Sequence, residues 1–273
     1  MLHKLIRILV AAGSSDIRET IKDGICVHRA TRYIEVDIAT NGRAALDSLQ
    51  KKPVDIAFID IDMPGLDGPA VVAAMRETKS SHCLAVVMAT ALDPGEEAVF
   101  KRLGAYHFLQ KPFHQDQISG IVSTFMKMET VYPILIVDDS AVTRKLARKV
   151  LENSRFHFEI FEADSAQAAL KLLATEKFRI VLTDFQMPGG DGIELAGIIR
   201  GHFSKIGIYM MSTDVTTYLE RSAAFVGISG FLKKPFAPED IDALMHRFLE
   251  LDAPKFGKMR DMFSFSAREK KAS

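Results

Sequence analysis

The sequence contains only two cysteines and no apolar run long enough to cross a membrane. Cys26 and Cys83 lie in apolar surroundings and form no Cys/His cluster with metal-ligand spacing, so we expect buried, reduced thiols and no structural zinc site. No apolar run approaches the roughly 20 residues that a transmembrane helix needs. The N-terminal residues also lack the pattern of a signal peptide. We therefore expect a cytoplasmic protein without a membrane partner.

The sequence also lacks an excess of charge of either sign. It contains 35 basic and 35 acidic residues, which gives a formal net charge of zero. Nucleic-acid-binding proteins usually present a basic surface, so no nucleic-acid partner is expected. The contents of 48% hydrophobic and 26% charged residues are typical of globular proteins. A length of 273 residues fits two domains of about 125 residues each.

The chain contains two copies of one sequence unit. The motif Asp-x-x-Met-Pro-Gly-x-Asp-Gly begins at Asp60, and a matching motif begins at Asp184. Further on, Phe-Leu-Gln-Lys-Pro-Phe from Phe108 is matched by Phe-Leu-Lys-Lys-Pro-Phe from Phe231. The order and spacing of these motifs are nearly the same in both copies, which indicates duplication of a whole domain.

Short apolar runs alternate with segments of helical periodicity in each copy. This alternation predicts a parallel sheet covered by helices on both faces. In the second copy the predicted strands are 133–137, 157–162, 178–183, 206–211 and 229–232. The predicted helices are 141–152, 165–175, 191–201, 216–225 and 237–250. Polar residues of the second copy cluster at the predicted carboxyl ends of the strands, where open parallel sheets bind ligands.

Five of these polar residues suggest phosphoryl-transfer chemistry: Asp138, Asp139, Asp184, Ser212 and Lys234. Three neighbouring carboxylates repel one another unless a cation offsets their charge, and Mg²⁺ prefers such oxygen ligands. One carboxylate could then attack a phosphoryl group, with the lysine and the serine stabilising the transferring oxygens. The product would be an aspartyl phosphate.

These five residues, together with the Asp-x-x-Met-Pro-Gly-x-Asp-Gly and Lys-Pro-Phe motifs that occur in both copies, resemble the receiver domains of two-component response regulators, including the chemotaxis type. The resemblance extends over nearly all of the sequence from Leu5 to Leu251. It implies an α/β fold made of two flavodoxin-like (βα)5 doubly wound domains, each with a five-stranded parallel sheet. The predicted domains are residues 1–130 and 131–251, followed by a tail at 252–273.

The resemblance also implies a role for each site residue. Asp184 would be the phosphoacceptor. Mg²⁺ would be bound by three carboxylates and one backbone carbonyl, those of Asp138, Asp139, Asp184 and Gln186. Ser212 and Lys234 would contact the phosphoryl group, and Phe231 would occupy the aromatic switch position. Thr213 stands where the family usually has alanine and would add bulk beside the pocket.

The first copy is predicted to be a degenerate receiver, or pseudo-receiver. It retains three of the site residues, Asp60, Thr90 and Lys111. Aligning Arg18 with Arg144 places Ala12 and Gly13 where the second copy has its acidic pair. A lone aspartate carries too little charge to bind Mg²⁺ well. An alternative is that Asp62 supplies the missing carboxylate, although a residue at that position usually points to solvent.

The leading hypothesis is a two-component signalling protein that is not a classical enzyme. A histidine kinase or phosphotransfer protein would phosphorylate the second receiver, and the changed surface would act on a downstream protein partner or support a homodimer. We expect a protein without a covalent effector domain. Two alternatives stay open: an adaptor that works without phosphorylation, and a phosphate sink in a phosphorelay.

Overall fold

The computed structural model describes residues 5–30, 33–78, 83–187, 190–213 and 224–256. The chain divides into two compact units. The first contains the residues up to Lys127 and a short segment after Asp252 that includes Lys255 and Phe256. The second extends from Met128 to Asp252. The tail beyond Phe256 lies outside the described residues.

The first unit is a five-stranded parallel sheet with the strand order β2-β1-β3-β4-β5. Helices alternate with the strands along the chain. The elements are β1 (Ile6–Ala11), α1 (Ser15–Cys26), β2 (Ile34–Ala39), α2 (Gly42–Lys51), β3 (Ile56–Asp60), α3 (Gly68–Arg76), β4 (Leu84–Ala89), α4 (Pro94–Arg102), β5 (His107–Gln110) and α5 (Gln115–Met128).

The second unit repeats this parallel sheet with the strand order β7-β6-β8-β11-β12. Its elements are β6 (Val131–Val137), α6 (Ala141–Glu152), β7 (His157–Ala163), α7 (Ala166–Thr175), β8 (Ile180–Asp184), β9 (Gln186–Met187), β10 (Gly190–Asp191), α8 (Gly192–His202), β11 (Gly207–Ser212), β12 (Gly230–Lys233) and α9 (Pro238–Phe248). The helix predicted over 216–225 lies almost entirely outside the described residues. The short antiparallel pair β9-β10 was not predicted.

Both sheets match the predicted flavodoxin-like architecture, and burial explains why the apolar runs form their central strands. All residues of β3, β4 and β11 are buried, as expected for parallel strands covered by helices on both faces. The edge strands β2 and β7 are only partly buried. In the sheet order 2-1-3-4-5 the connections after the first and third strands lead to opposite sides, which leaves a crevice at the carboxyl ends of these two neighbouring strands.

Polar residues fix the starts of several helices. Asn41, Asp67 and Ser165 each accept a hydrogen bond from the backbone amide three residues later, which satisfies a donor that the helix leaves unpaired. Asp93 forms a full capping box with Glu96 at the start of α4. These caps help to place the helix starts beside the carboxyl ends of the strands.

The segment after Asp252 packs on the first unit. Phe256 is only 5% exposed, belongs to the apolar core of that unit, and stacks on Phe100 with ring centroids 6.3 Å apart. Its backbone amide donates to the carbonyl of Tyr106, and the Lys255 ammonium lies 4.7 Å from the Phe108 ring centroid. A sequence position in the predicted tail therefore contributes to the core of the first unit.

The two cysteines differ in exposure. Cys83 is buried as predicted, and burial raises the pKa of its thiol well above the ordinary value. The prediction of burial is wrong for Cys26, which is the last residue of α1 and is exposed to solvent. In the part of the chain that the structure describes, no helix is both long and apolar enough to cross a membrane.

Candidate functional site

Three carboxylates lie together at the carboxyl edge of the second sheet. Asp138 and Asp139 follow β6 directly, and Asp184 is the last residue of the neighbouring strand β8. Each side chain offers one oxygen such that all three oxygens lie within 4.8 Å of one another. Within the described ranges this is the only such group of three or more His, Cys, Asp or Glu side chains. The oxygen donors suit a hard divalent cation such as Mg²⁺.

A lysine from the last strand of the sheet bridges two of these carboxylates. Lys234 follows β12, and its ammonium nitrogen lies 2.7 Å from Oδ2 of Asp138 and 2.8 Å from Oδ1 of Asp184. Asp138 is only 1% exposed, so its charge requires a close partner. The lysine thus offsets part of the negative charge of the acidic cluster through direct contacts with Asp138 and Asp184.

The lysine keeps its charge in this position. Burial alone would lower the pKa of the Lys234 amine, but the hydrogen bonds and negative charges of Asp138 and Asp184 outweigh burial and raise it above the ordinary value. An ammonium group is therefore present at neutral pH beside these two carboxylates.

Backbone amides orient two of the carboxylates. Oδ1 of Asp138 accepts a hydrogen bond from the amide of Ser140, and Oδ1 of Asp184 accepts one from the amide of Phe185, each at 2.9 Å. Ser140 is also the N-cap residue of α6. The same short loop therefore starts the helix and fixes the first aspartate of the pair.

A glycine to which sequence reasoning assigned no role allows helix α8 to begin against strand β8, which ends at Asp184. A Cβ atom added to Gly192 would lie 2.1 Å from the carbonyl oxygen of Asp184, a distance that no side chain tolerates. Gly68 in the first unit is similarly tight, with Cα of Ile61 at 2.9 Å. Glycine follows aspartate in both motifs, and this recurrence could have indicated the close approach of the backbone.

Sequence reasoning also assigned no role to Arg144 beyond alignment of the two copies. Its guanidinium group donates to the backbone carbonyls of Asp138 and Asp139, and Arg18 makes the equivalent contacts with Ala12 and Gly13. The recurrence of this arginine seven residues after the end of a strand could have indicated a structural role. The contacts agree with the alignment that pairs Ala12 and Gly13 with the acidic residues.

The remaining predicted residues lie in strands of the second unit or directly after one. Ser212 is the buried last residue of β11, and its carbonyl accepts a hydrogen bond from the amide of Lys234 at 2.8 Å. Phe231 is 2% exposed and belongs to the apolar core of the second unit. Gln186 lies in β9, two residues after the phosphoacceptor candidate, and Thr213 is exposed.

The corresponding place in the first unit contains an ion pair but no carboxylates at the two positions of the acidic pair. Asp60, the last residue of β3, is 3% exposed and lies 2.5 Å from the Lys111 ammonium nitrogen. Thr90 follows β4 and is exposed. The Asp62 side chain is 68% exposed, although one of its oxygens lies 3.7 Å from Lys111. The exposure agrees with a residue that points largely to solvent.

Removal of the site lysine should distinguish the two units. We expect Lys234→Met to lower the free energy of unfolding of the second unit by about 3 kcal/mol without divalent cations, because the buried Asp138 carboxylate loses its partner. Saturating Mg²⁺ should recover most of this loss by supplying positive charge to the carboxylates. Urea unfolding monitored by residue-resolved hydrogen exchange, with and without Mg²⁺, measures the loss of unfolding free energy and its recovery.

Lys111→Met is the matched control in the first unit. It leaves the buried Asp60 carboxylate without its lysine and should cost a similar free energy, but Mg²⁺ should recover little of it. Equal recovery in the two variants, or none in Lys234→Met, would contradict the assignment of the cation site to the second unit.

Comparison with known families agrees with this geometry. The chain matches the family model of the response regulator receiver domain twice, over residues 8–123 and 134–246. The two matched segments cover most of both units and include the two aspartate motifs and the two Lys-Pro-Phe motifs.

Two response regulators are examples of proteins with a similar sequence. The two-component response regulator ORR11 of Oryza sativa subsp. indica is 35% identical over 120 residues, which cover 42% of this chain and 80% of that protein. The response regulator protein FleR of Pseudomonas aeruginosa is 34% identical over 103 residues, which cover 38% of this chain and only 21% of FleR. The chain thus spans about a fifth of the length of FleR.

A solved structure extends the similarity across both units. A structure described as that of a two-component system response regulator/GGDEF domain protein has a TM-score of 0.60 and covers 90% of this chain and 98% of its own. The sequence identity is 22%, so this similarity concerns the fold alone.

Proposed function

Because the chain belongs to the response regulator receiver domain family and contains two such domains in tandem, we propose that the second accepts a phosphoryl group on Asp184. The observation that carries the proposal is the convergence of Asp138, Asp139 and Asp184 beside the Lys234 ammonium. Receiver domains act as signalling modules that interact with histidine kinases or phosphotransfer proteins. The proposed donor is therefore a phosphohistidine on such a protein.

Each residue of the site has a proposed part in the transfer. Oδ2 of Asp184 attacks the phosphorus atom, a new O–P bond forms, and the N–P bond to the donor imidazole breaks while the imidazole retains its electron pair and takes up a proton from solvent. Lys234 and Ser212 stabilise the phosphoryl oxygens. Phe231 is the proposed aromatic switch residue.

The donor set fits a bound Mg²⁺ ion. Asp138, Asp139, Asp184 and the backbone carbonyl of Gln186 would hold it. When bound, the ion would offset the repulsion between the acceptor carboxylate and the incoming phosphoryl group.

We propose that the first domain is a pseudo-receiver that serves as a platform for protein binding or dimerisation. Asp60 pairs with Lys111, but Ala12 and Gly13 supply no carboxylates at the positions of the acidic pair. With so little negative charge, this site should bind Mg²⁺ weakly and accept phosphate poorly.

Titration calorimetry tests the proposed site. The full chain should bind one equivalent of Mg²⁺ and then, in the presence of Mg²⁺, one equivalent of beryllofluoride, an analogue of the phosphoryl group. The double variant Asp138→Asn/Asp139→Asn should bind neither at the same concentrations. Absence of both binding events in the unaltered chain would favour an adaptor that works without phosphorylation.

A further inference from the structure

The guanidinium group of Arg144 contacts the backbone of the acidic pair and not its carboxylates. Nη1 donates to the carbonyl oxygen of Asp138 at 2.8 Å and to that of Asp139 at 3.3 Å. The arginine side chain is 17% exposed and extends from α6 toward the loop between β6 and that helix. One donor group therefore fixes two consecutive peptide units from the side of their carbonyl oxygens.

A glutamate on the neighbouring strand orients this arginine. Glu162 of β7 accepts a hydrogen bond from Nε of Arg144 at 3.3 Å and another from Nε of Arg148 at 2.6 Å. The next residue, Ala163, accepts a backbone hydrogen bond from the amide of Asp138 at 3.2 Å. The edge strand thus fixes both the arginine and the start of the acidic loop.

Glu162 remains ionised in this position. Its partial burial alone would raise the pKa of the carboxyl group, but the hydrogen bonds and charges of Arg148 and Arg144 lower it below the ordinary value. The carboxylate therefore holds the planar arginine in a defined orientation at neutral pH.

The first unit has the same arginine contact but no glutamate at the position of Glu162. Arg18 donates to the carbonyl oxygens of Ala12 and Gly13 at 2.8 and 2.7 Å, although these residues carry no carboxylate. The strand register places Ile38 at the position that Glu162 occupies in the second unit. The arginine contact is thus a common feature of both folds, whereas the glutamate occurs in the copy that has the acidic pair.

We propose that Arg144, oriented by Glu162, is a positioning residue that holds the Asp138 and Asp139 carboxylates in the geometry for binding a divalent cation. Two consecutive carboxylates repel each other and would rotate apart in a loosely held loop. Fixing both peptide units through their carbonyl oxygens restricts that rotation without neutralising the carboxylates. The proposal rests on the proposed cation site and assigns a role to a residue that does not touch the ion.

The test compares Arg144→Ala with Arg18→Ala in the full chain. Removal of a residue that orients metal ligands typically weakens metal affinity by about 10-fold to 100-fold. We expect Arg144→Ala to weaken Mg²⁺ affinity by about 10-fold in calorimetry of the unphosphorylated protein. Arg18→Ala should leave it within about twofold, although both variants lose equivalent backbone hydrogen bonds. Amide NMR spectra would verify that each variant is folded.

Further variants separate positioning from general stability. Glu162→Gln keeps the shape of the side chain and should weaken Mg²⁺ affinity less than Arg144→Ala, and Arg144→Lys should recover part of the loss. Unchanged affinity in a folded Arg144→Ala variant, or equal losses in the Arg144 and Arg18 variants, would overturn the inference. If the unaltered chain bound no Mg²⁺, the proposed function itself would fail.

Discussion

Asp184→Asn is expected to reduce phosphorylation of the chain by acetyl phosphate and Mg²⁺ to background. The asparagine amide has nearly the shape of the carboxylate but lacks the nucleophilic oxygen that must form the new O–P bond. It also removes one of the three negative charges that favour the cation. Phos-tag electrophoresis of the intact chain measures the effect without knowledge of the natural donor.

Asp60→Asn is the matched control for this experiment. Asp60 ends β3 as Asp184 ends β8, and each contacts a lysine after the last strand of its sheet. The control should retain the full phosphorylation signal because its site lacks the acidic pair. Loss of signal in Asp60→Asn with retention in Asp184→Asn would reverse the roles assigned to the two domains.

Ala12→Asp/Gly13→Asp is expected to create a second Mg²⁺ site and to make Asp60 a phosphoacceptor. A side chain at Gly13 has room, since its Cβ would lie 3.7 Å from Cδ of Pro64 and 4.0 Å from the carbonyl oxygen of Thr40. We expect Lys111 to pair with the new buried carboxylate at position 12, as Lys234 pairs with Asp138. Mg²⁺ stoichiometry should rise from one to two per chain.

The neutral variant Ala12→Asn/Gly13→Asn controls for changes in packing. It introduces side chains of nearly the same size without adding charge, so the stoichiometry should stay at one. In an Asp184→Asn background the acidic variant should regain Mg²⁺-dependent phosphorylation. A folded acidic variant that binds no second ion would show that the missing acidic pair is not what inactivates the first site.

The sequence predicted the architecture because apolar runs without alternation identify strands buried on both faces. The central strands β8 and β11 lie within two residues of their predicted bounds, and α6 coincides with its prediction. The β9-β10 pair was missed because only two residues form each strand, which is too short for any period to appear. Burial of Phe256 depends on packing between segments far apart in sequence, which a local pattern does not reveal.

The convergence of the acidic residues followed from topology alone. Asp138 and Asp184 end neighbouring parallel strands, so their side chains must meet at one edge of the sheet. The contacts of Arg144 were not predictable in the same way, because its partners are backbone carbonyls whose directions are set by the loop. Every residue type has a backbone carbonyl, so the sequence contains no particular partner residue that would reveal such a contact.

Mapping the modified residue tests the central claim most directly. The unaltered chain would be treated with acetyl phosphate and Mg²⁺, the aspartyl phosphate trapped by borohydride reduction, and the peptides sequenced by mass spectrometry. The account predicts the reduced residue at position 184 and an unmodified Asp60. Modification at Asp60 with Asp184 unmodified, or no acyl phosphate anywhere in a folded protein that binds Mg²⁺, would contradict it.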